Sequence, residues 1–428
     1  IRFTDEEALE QDQRAEVPRP PLPEINRLHA SVSLEYSGIV DRGDAGGRSS
    51  QEGVSVRANM TRLGGTYWNV SGYWRGRRTS HRAASQTETL SDLLSRTYHI
   101  SLSYHNPQSR NVAGFGRLLL PFASSLSTLD GGYFGRRIGN ATTLGVFAGT
   151  TPDPTAWNFD PDRQMFGVFG NREAGSFESW RYSSTVGVAQ TRLEGRPERY
   201  FLFSEQNLLL TRVLSIYHNA EVDYHRRGEF AAAESGIALT RSFLTFRAQP
   251  AAYLSFDLSH NYFQTVPTSD PRLIGTGLID KVLFQGLSGG VRLRPIPLLT
   301  LYASLGRSDR QGDATPSWNY QYGATVDRIP GLGLRTDVRL SRFTSSFGSG
   351  AYQSASISRV VGEVFHLEVQ VGRQNFHSAL TIQNRTQWLN TNLDWFLGRH
   401  YVLGAGGTLY RGQAQNYDQW FFSLGYRL

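Results

Sequence analysis

The chain ends in Trp420-Phe421-Phe422-Ser423-Leu424-Gly425-Tyr426-Arg427-Leu428. Every second residue of this segment, counted back from Leu428, is apolar or aromatic, and most of the residues between them are small or polar. A period of two places alternate side chains on opposite faces of an extended strand. The segment therefore predicts a β-strand with one apolar face and one polar face.

The same alternation recurs upstream, beginning at Leu28, and no segment of helical period interrupts it. Examples are the alternating runs 30–36, 54–60, 98–104, 144–148, 180–188, 214–222, 252–258, 299–305, 318–326, 332–340, 365–371 and 401–409. Runs of this kind, separated by turn residues, are typical of antiparallel strands. The fold class predicted for the chain is all-β.

Composition removes several other classes. The 428 residues include 44 Gly, 12% aromatic residues, no Cys and a formal net charge of +7. The mean hydropathy is −0.38, and no apolar run approaches the ~18 residues of a membrane-spanning helix. Without cysteine there is no disulfide framework and no thiolate site for metal or haem. The arginines are spread along the chain without a basic cluster, so nucleic-acid binding is not expected.

Short and long connections alternate along the chain. Short ones lie near 139–140, 249–250 and 398–399, and longer polar ones near 76–96 and 264–282. This alternation indicates an up-and-down meander in which one end of the sheet is turned tightly. The count of strands is about 22, within a range of 18–26, because 106–140 and 190–215 have ambiguous boundaries.

The apolar face of so long a meander must be buried. The side chains of a barrel with about 22 strands do not fill its lumen, long meander strands are atypical of a sandwich, and there is no propeller repeat. In the remaining arrangement the apolar side chains face lipid and the polar ones face an aqueous lumen. We therefore expect residues 28–428 to form a transmembrane antiparallel β-barrel. Aromatic residues six apart support outward interfacial belts, as in the pairs Trp68/Trp74, Tyr98/Tyr104 and Trp420/Tyr426.

The C-terminal segment resembles the last strand of Gram-negative bacterial outer-membrane β-barrel proteins, the porin-like class. The resemblance rests on the alternating assembly-signal residues Trp420, Phe422, Leu424, Tyr426 and Leu428, with Leu428 where that class usually has Phe. It implies recognition by the barrel-assembly machinery, contact with outer-membrane lipid and lipopolysaccharide, and periplasmic N- and C-termini. Residues 1–27, which are acidic and Pro-rich at 18–23, are expected to form a periplasmic arm.

Arginines on the polar faces are the candidate selectivity residues of the lumen, because charges on the wall of a pore set the field for solutes. They are Arg57, Arg75, Arg181, Arg247, Arg292, Arg294, Arg335 and Arg339, and Arg359 is assigned to the same face. The alternative is that they pair with carboxylates in cross-strand ladders and only solvate the wall.

Two functions follow from this arrangement: a porin-like pore for small polar or anionic solutes, or a barrel sheath that encloses or docks a partner protein in an electron-conduit or export-type complex. Residues 1–27 are too few for a globular plug, so loops 76–96 and 264–282 or a protein partner, in the lumen or at the periplasmic face, are the candidates to close the lumen. No enzyme activity, cofactor or metal site is expected. The match of Gly286–Gly290 to a hydrolase G-x-S-x-G motif lacks the helix that should follow it.

Overall fold

The computed structural model describes residues 24–43, 46–83, 90–154, 156–225, 236–264, 283–378, 384–413 and 416–428. These residues form 22 strands and a short 3₁₀ turn at Leu63–Gly65. The strands are β1 (Arg27–Asp41), β2 (Gly47–Thr61), β3 (Trp68–Ala83), β4 (Leu90–Tyr104), β5 (Asn111–Leu118), β6 (Leu129–Ile138), β7 (Thr142–Thr150), β8 (Arg163–Gly175), β9 (Trp180–Leu193), β10 (Arg196–Leu210), β11 (Leu214–His225), β12 (Gly236–Ala251), β13 (Leu254–Gln264), β14 (Leu283–Ile296), β15 (Leu299–Arg310), β16 (Ser317–Val326), β17 (Arg335–Ser345), β18 (Gly348–Val361), β19 (Phe365–Ser378), β20 (Asn384–Leu397), β21 (Tyr401–Gly412) and β22 (Tyr417–Arg427).

Each strand pairs antiparallel with its neighbours in sequence, and β22 also pairs with β1, from Ser31 opposite Arg427 to Asp41 opposite Tyr417. The sheet is thereby closed and leaves no unpaired edge. The predicted antiparallel barrel is confirmed, and so is the expected number of strands. Among the residues that the structure describes, no helix is long and apolar enough to cross a membrane.

The two ends of the barrel are turned differently. The terminal end, where β1 begins and β22 ends, has tight connections such as 139–141, 252–253 and 297–298. The opposite end carries the longer connections 119–128 and 151–162, together with 265–282, which lies outside the described residues. The alternation of short and long connections in the sequence therefore reflects the two rims of the barrel, although 194–195 and 346–347 at the opposite end are also short.

The expected loop at 76–96 is wrong in extent. Residues 76–83 continue β3 and residues 90–96 begin β4, so the strands rise well beyond the apolar band. The β3 part of this stretch, residues 76–83, is polar and rich in Arg, so it resembles loop sequence, which explains the error. The connection 84–89, the loop at 265–282 and most of the predicted N-terminal arm, residues 1–23, lie outside the described residues. The barrel itself begins at Arg27, one residue earlier than expected.

The outer face of the barrel is apolar and exposed. Val146 and Val188 are each 52% exposed, and Phe422 is 49% exposed. Apolar side chains gain free energy when they leave water, and this belt surrounds the closed sheet. The exposed belt supports the inverted arrangement, with lipid outside and water inside.

One aromatic expectation is wrong. The pairing of β3 with β4 shifts by one residue between Tyr73 and Trp74, which leaves Tyr98 as an extra residue in β4. The Tyr98 ring stacks on Tyr73 with 4.9 Å between centroids, and Tyr73 lies under Arg57 on the inner face. Tyr98 is therefore directed to the lumen, whereas Tyr104 packs with Trp68 on the outer face, as expected. A β-bulge reverses the face of a residue without changing the local sequence pattern.

Candidate functional site: the lumen

The inner wall of the barrel carries all eight candidate arginines. Residues on this wall are identified by register with inward polar pairs such as Ser71–Ser101 and Ser259–Ser288, whose hydroxyls are 3.0 and 2.6 Å apart. The second pair also shows that Ser288, in the G-x-S-x-G match, lies in the middle of β14 and not on a strand-to-helix turn. Arg359 was assigned wrongly: its neighbour Ser358 faces inward opposite Arg335, so Arg359 lies on the outer face beside Leu367.

Four of the eight arginines have partners on the wall. Arg75 pairs with Glu35 at 2.8 Å, Arg181 with Glu173 at 3.3 Å, and Arg335 with Asp327 at 3.7 Å. Arg339 donates from Nε to the Tyr302 hydroxyl at 3.3 Å. Arg75, Arg181 and Arg335 therefore pair with carboxylates, as the alternative interpretation expects, whereas Arg339 contacts a neutral hydroxyl.

The other four arginines are Arg57, Arg247, Arg292 and Arg294, and they form no ion pair with any described residue. Arg57 lies over the Tyr73 ring at 4.4 Å. Arg292 is opposite Ser255 on one side and Tyr302 on the other. On β12–β14 three of these guanidinium groups, Arg247, Arg292 and Arg294, stand against one inward carboxylate, Asp257, which lies opposite Arg247. Guanidinium groups stay charged, so this side of the lumen carries net positive charge.

The segment that folds into the barrel is not one of the two loops, 76–96 and 264–282, that were predicted to close the lumen. The lumen segment, residues 119–128 between β5 and β6, turns inward from the opposite end. Its Leu120 and Ala123 are each only 1% exposed. They pack in a cluster with inward apolar side chains of the wall, including Phe147, Met165, Phe169, Phe201 and Phe203. This part of the inner wall, from β5 to β10, is therefore apolar and covered.

Polar contacts attach the lumen segment to the wall. Glu205 on β10 accepts hydrogen bonds from the Ser124 hydroxyl at 2.9 Å and from the Ser125 backbone N–H at 3.1 Å. Arg241 on β12 donates to the Ser125 carbonyl at 2.9 Å. Glu205 and Arg241 together form a clamp on the segment. Because both side chains are charged, each of these hydrogen bonds is stronger than one between neutral groups.

A buried charge cluster lies beside the clamp. Arg199 pairs with Glu221 at 2.5 Å and donates through two nitrogens to Asp223, and Arg241 also reaches Glu221 at 3.5 Å. The Thr240 hydroxyl also donates to Asp223, at a point where a bulge disrupts the pairing of β11 with β12. Two arginines and two carboxylates balance one another, so the cluster fixes the wall behind the clamp without adding net charge.

A cavity of about 900 Å³ lies between the lumen segment and the wall at the terminal end. Its lining includes His105, Arg137, Tyr133, Asn171 and Glu173. Burial, together with the nearby charge of Arg137, lowers the pKa of His105 below its ordinary value. The imidazole therefore stays neutral over a wider pH range than an exposed histidine.

The wall across the barrel from the lumen segment is aromatic near the opposite end. Tyr352, Trp388, Tyr410 and Tyr417 follow one another across β18, β20, β21 and β22, with ring centroids 5.8, 6.5 and 4.5 Å apart. Trp388 covers Gly372, where any Cβ would collide with the indole. These rings pack on one another and stiffen the wall.

The predicted assembly-signal residues form the outer face of the closing strand. Trp420, Phe422, Leu424 and Tyr426 lie opposite Gly38, Tyr36, Leu34 and Val32 of β1. Trp420 covers Gly38, because a Cβ there would lie 2.4 Å from the ring. Leu428 donates its backbone N–H to the Ala30 carbonyl at 2.8 Å. Their recognition by the assembly machinery stays a prediction.

Comparison with known proteins gives a match at the level of fold. No protein-family model matches the chain, and no curated protein sequence does. The translocation pore of the P pilus usher PapC superposes with a TM-score of 0.57 at 9% identity, over 93% of this chain and 99% of that one. The E. coli P pilus tip assembly intermediate PapC-PapD-PapK-PapG matches with a TM-score of 0.53 at 11% identity, over 96% of this chain and 62% of that one. The chain therefore has the fold of the outer-membrane β-barrel proteins, as its strand pattern predicts.

Proposed function

We propose that the chain is an outer-membrane channel whose lumen passes small polar solutes and favours anions. The observation that carries this proposal is the inner wall of β12–β14, where Arg247, Arg292 and Arg294 face the lumen without an ion-pair partner among the described residues. Fixed positive charge on a pore wall concentrates anions and repels cations.

The width of the barrel leaves room for passage. With strands about 4.8 Å apart and tilted by about 40°, a closed sheet of the 22 described strands is about 40 Å across. The lumen segment covers the wall from β5 to β10 and narrows the lumen from that side. The proposed path for solutes runs between the lumen segment and the arginines of β12–β14.

The proposal includes the setting of the barrel. Both termini lie at the periplasmic end, lipid and lipopolysaccharide surround the apolar belt, and the barrel-assembly machinery inserts the chain through its terminal strand. The tight connections at the terminal end and the elaborated ones opposite support this orientation, because outer-membrane barrels carry short periplasmic turns and longer extracellular loops. Transport by such a channel requires no catalytic group, and we assign none.

The experiment that tests this proposal is a measurement of ion selectivity in planar bilayers. The purified barrel should give steady conductance, and its reversal potential in a KCl gradient should show anion preference. Arg292→Glu should shift the reversal potential toward cations, and R292E/R294E should shift it further. Both shifts should be larger at 0.01 M salt, where the Debye length is about 30 Å.

The matched control is Arg359→Glu, which makes the same charge change on the outer face and should leave the reversal potential unchanged. A purified barrel that conducts nothing, or equal shifts for Arg292→Glu and Arg359→Glu, would contradict the channel proposal.

A second candidate function is a sheath or translocation barrel for a protein partner. The closed sheet, about 40 Å across from backbone to backbone, encloses more space than the barrels of about 16–18 strands that already leave an aqueous channel, and the usher match is a translocation pore. In this case the isolated barrel should conduct as a wide, unselective opening that a co-isolated protein closes. Purification from native membranes without overexpression, followed by identification of bound subunits, separates the two functions.

A further inference from the structure

A groove of about 660 Å³ runs along the outer face of β17–β21. The part of the groove nearer the terminal end is a row of apolar side chains that lie in direct register across five strands: Val338, Ala355, Val371, Leu389 and Leu409. Ala355 is the smallest member, so the row dips between Val338 and Val371, which are 47% and 50% exposed. The dip lies on the apolar outer face and is lined by aliphatic side chains, which is the chemistry of an acyl-chain site.

The next row toward the opposite end is polar except at its first member, Leu340. Its members in register are Leu340, Gln353, Arg373, Gln387 and Arg411. The two rows are two residues apart along each strand, or about 7 Å. Two guanidinium groups and two amides therefore lie directly above an apolar groove, the order of groups that a lipid with an anionic headgroup presents.

The arginines of this row have capacity for a ligand. Arg373 makes no ion pair within the described part of the chain, and its Nε donates to Asn375 at 3.3 Å. Arg411 shares Asp418 with Arg42, at 2.6 and 2.9 Å. Its Nη1 also donates to the Tyr410 and Tyr417 carbonyls at 2.7 and 3.3 Å, so Nε and the second Nη2 hydrogen are the donors left for a ligand. Since one carboxylate serves two arginines there, this group retains one net positive charge.

Basic charge continues around this side of the barrel at the same level. Nine outward arginines lie at the opposite end of β15, β17, β19–β21, β2 and β3, or directly after β1. They are Arg307, Arg342, Arg373, Arg385, Arg411, Arg42, Arg48, Arg78 and Arg82. Outward carboxylates there are Glu52, Asp309 and Asp418. At the terminal end of β17–β22 and β1–β3, the described strand residues include one outward arginine, Arg359. Aromatic residues such as Phe365, Tyr401 and Tyr426 lie at this end instead. Along β15–β22 and β1–β3 the outward arginines of the strands are therefore concentrated at the opposite rim, whereas on the other side of the barrel Arg136 and Arg172 lie outward near the terminal end.

We propose that this groove binds a phosphorylated glycolipid of the outer leaflet, with an acyl chain on the Val338–Leu409 row and phosphates on Arg373 and Arg411. The two arginines are two strands apart, about 10 Å, and Gln387 lies between them. This spacing suits a disaccharide headgroup with a phosphate at each end, whose sugar hydroxyls meet the amides. Arginine binds phosphate through two parallel hydrogen bonds. The leaflet assignment rests on the orientation proposed above, whereas the site itself does not.

The test is native mass spectrometry of the folded barrel in detergent, titrated separately with bisphosphoryl lipid A and with phosphatidylethanolamine. Wild type should retain lipid A in preference to phosphatidylethanolamine. Arg373→Gln should weaken lipid A binding at least tenfold, and Val371→Trp, which fills the groove and keeps both arginines, should weaken it comparably. Arg359→Gln removes an outward arginine at the other end and should bind as wild type does.

Heat-modifiable migration on gels confirms that each variant is folded before titration. Unchanged lipid A binding in R373Q, an equal loss in R359Q, or equal affinity for phosphatidylethanolamine would overturn the proposal. The bilayer selectivity of the same variants is measured separately, so failure of the lipid site and failure of the channel proposal are distinguishable.

Discussion

Releasing the lumen segment from the wall should be possible with two substitutions. Glu205 and Arg241 supply three hydrogen bonds to Ser124 and Ser125. A hydrogen bond to a charged group contributes about 1.5–3 kcal/mol when protected from water, and the Arg241 side chain is 42% exposed. We therefore count about 1 kcal/mol for each of the two clamping residues, or about 2 kcal/mol together. This corresponds to an increase of about 30-fold in the undocked population.

The assay uses the absence of cysteine from the chain. Ser125→Cys places a single thiol on the segment, and the Ser125 hydroxyl itself has no hydrogen-bond partner, so the substitution leaves the clamp intact. Addition of E205A/R241A should raise the rate of labelling by a water-soluble maleimide about 30-fold. The control is Glu35→Gln, which breaks a lumen ion pair on another part of the wall. A rise below about threefold, or an equal rise in the control, would refute the role of the clamp.

Three further predictions concern stability and assembly. Leu403→Arg, on the outer face of β21, should cost about 2–4 kcal/mol in bilayer folding titrations, and the inward Thr408→Arg should cost much less; equal costs would contradict the assignment of faces. Removal of 426–428 should prevent heat-modifiable folded protein from reaching the outer membrane, because the closing strand then lacks the end of its predicted signal and its last pairs with β1 and β21, and normal assembly would argue against the terminal signal. The lowered pKa of His105 means that the unfolded chain binds a proton more readily, so stability should fall as pH drops below about 6.5, and His105→Gln should reduce this dependence in denaturant titrations at several pH values.

Much of the fold could be predicted from the sequence because each strand contributes its own two-residue period. The apolar runs on β1, β21 and β22 face lipid over their whole length, so local pattern and final environment agree. The pairing of β1 with β22 could be predicted because it requires only an even number of strands and a terminal strand with one apolar face. These features depend on neighbouring residues alone.

The lumen segment could not be predicted in the same way. Leu118-Leu119-Leu120-Pro121-Phe122 is an apolar stretch that has no period of two, and its partners Phe147 and Phe203 come from strands distant in sequence. An apolar residue on the inward face contradicts the rule that defines the rest of the barrel. Such exceptions are visible only when the wall and the segment that covers it are seen together.

Bulges and strand tips account for the remaining errors. The extra residue at Tyr98 changes the face of that ring, and a single-residue shift of phase assigned Arg359 to the wrong side. The end of β3, which carries the outward residues Arg78 and Arg82, has the composition of a loop. In each case tertiary pairing, not local propensity, decides the environment of the side chain.

The most direct test of the account is cysteine scanning along β21 with the barrel reconstituted in lipid bilayers. Single cysteines between 403 and 410 should alternate, with a water-soluble maleimide labelling Gly404→Cys, Thr408→Cys and Tyr410→Cys and sparing Leu403→Cys, Ala405→Cys and Gly407→Cys. This result would show water inside the barrel and lipid outside. Uniform labelling of all six positions, or labelling with the reverse phase, would contradict the account.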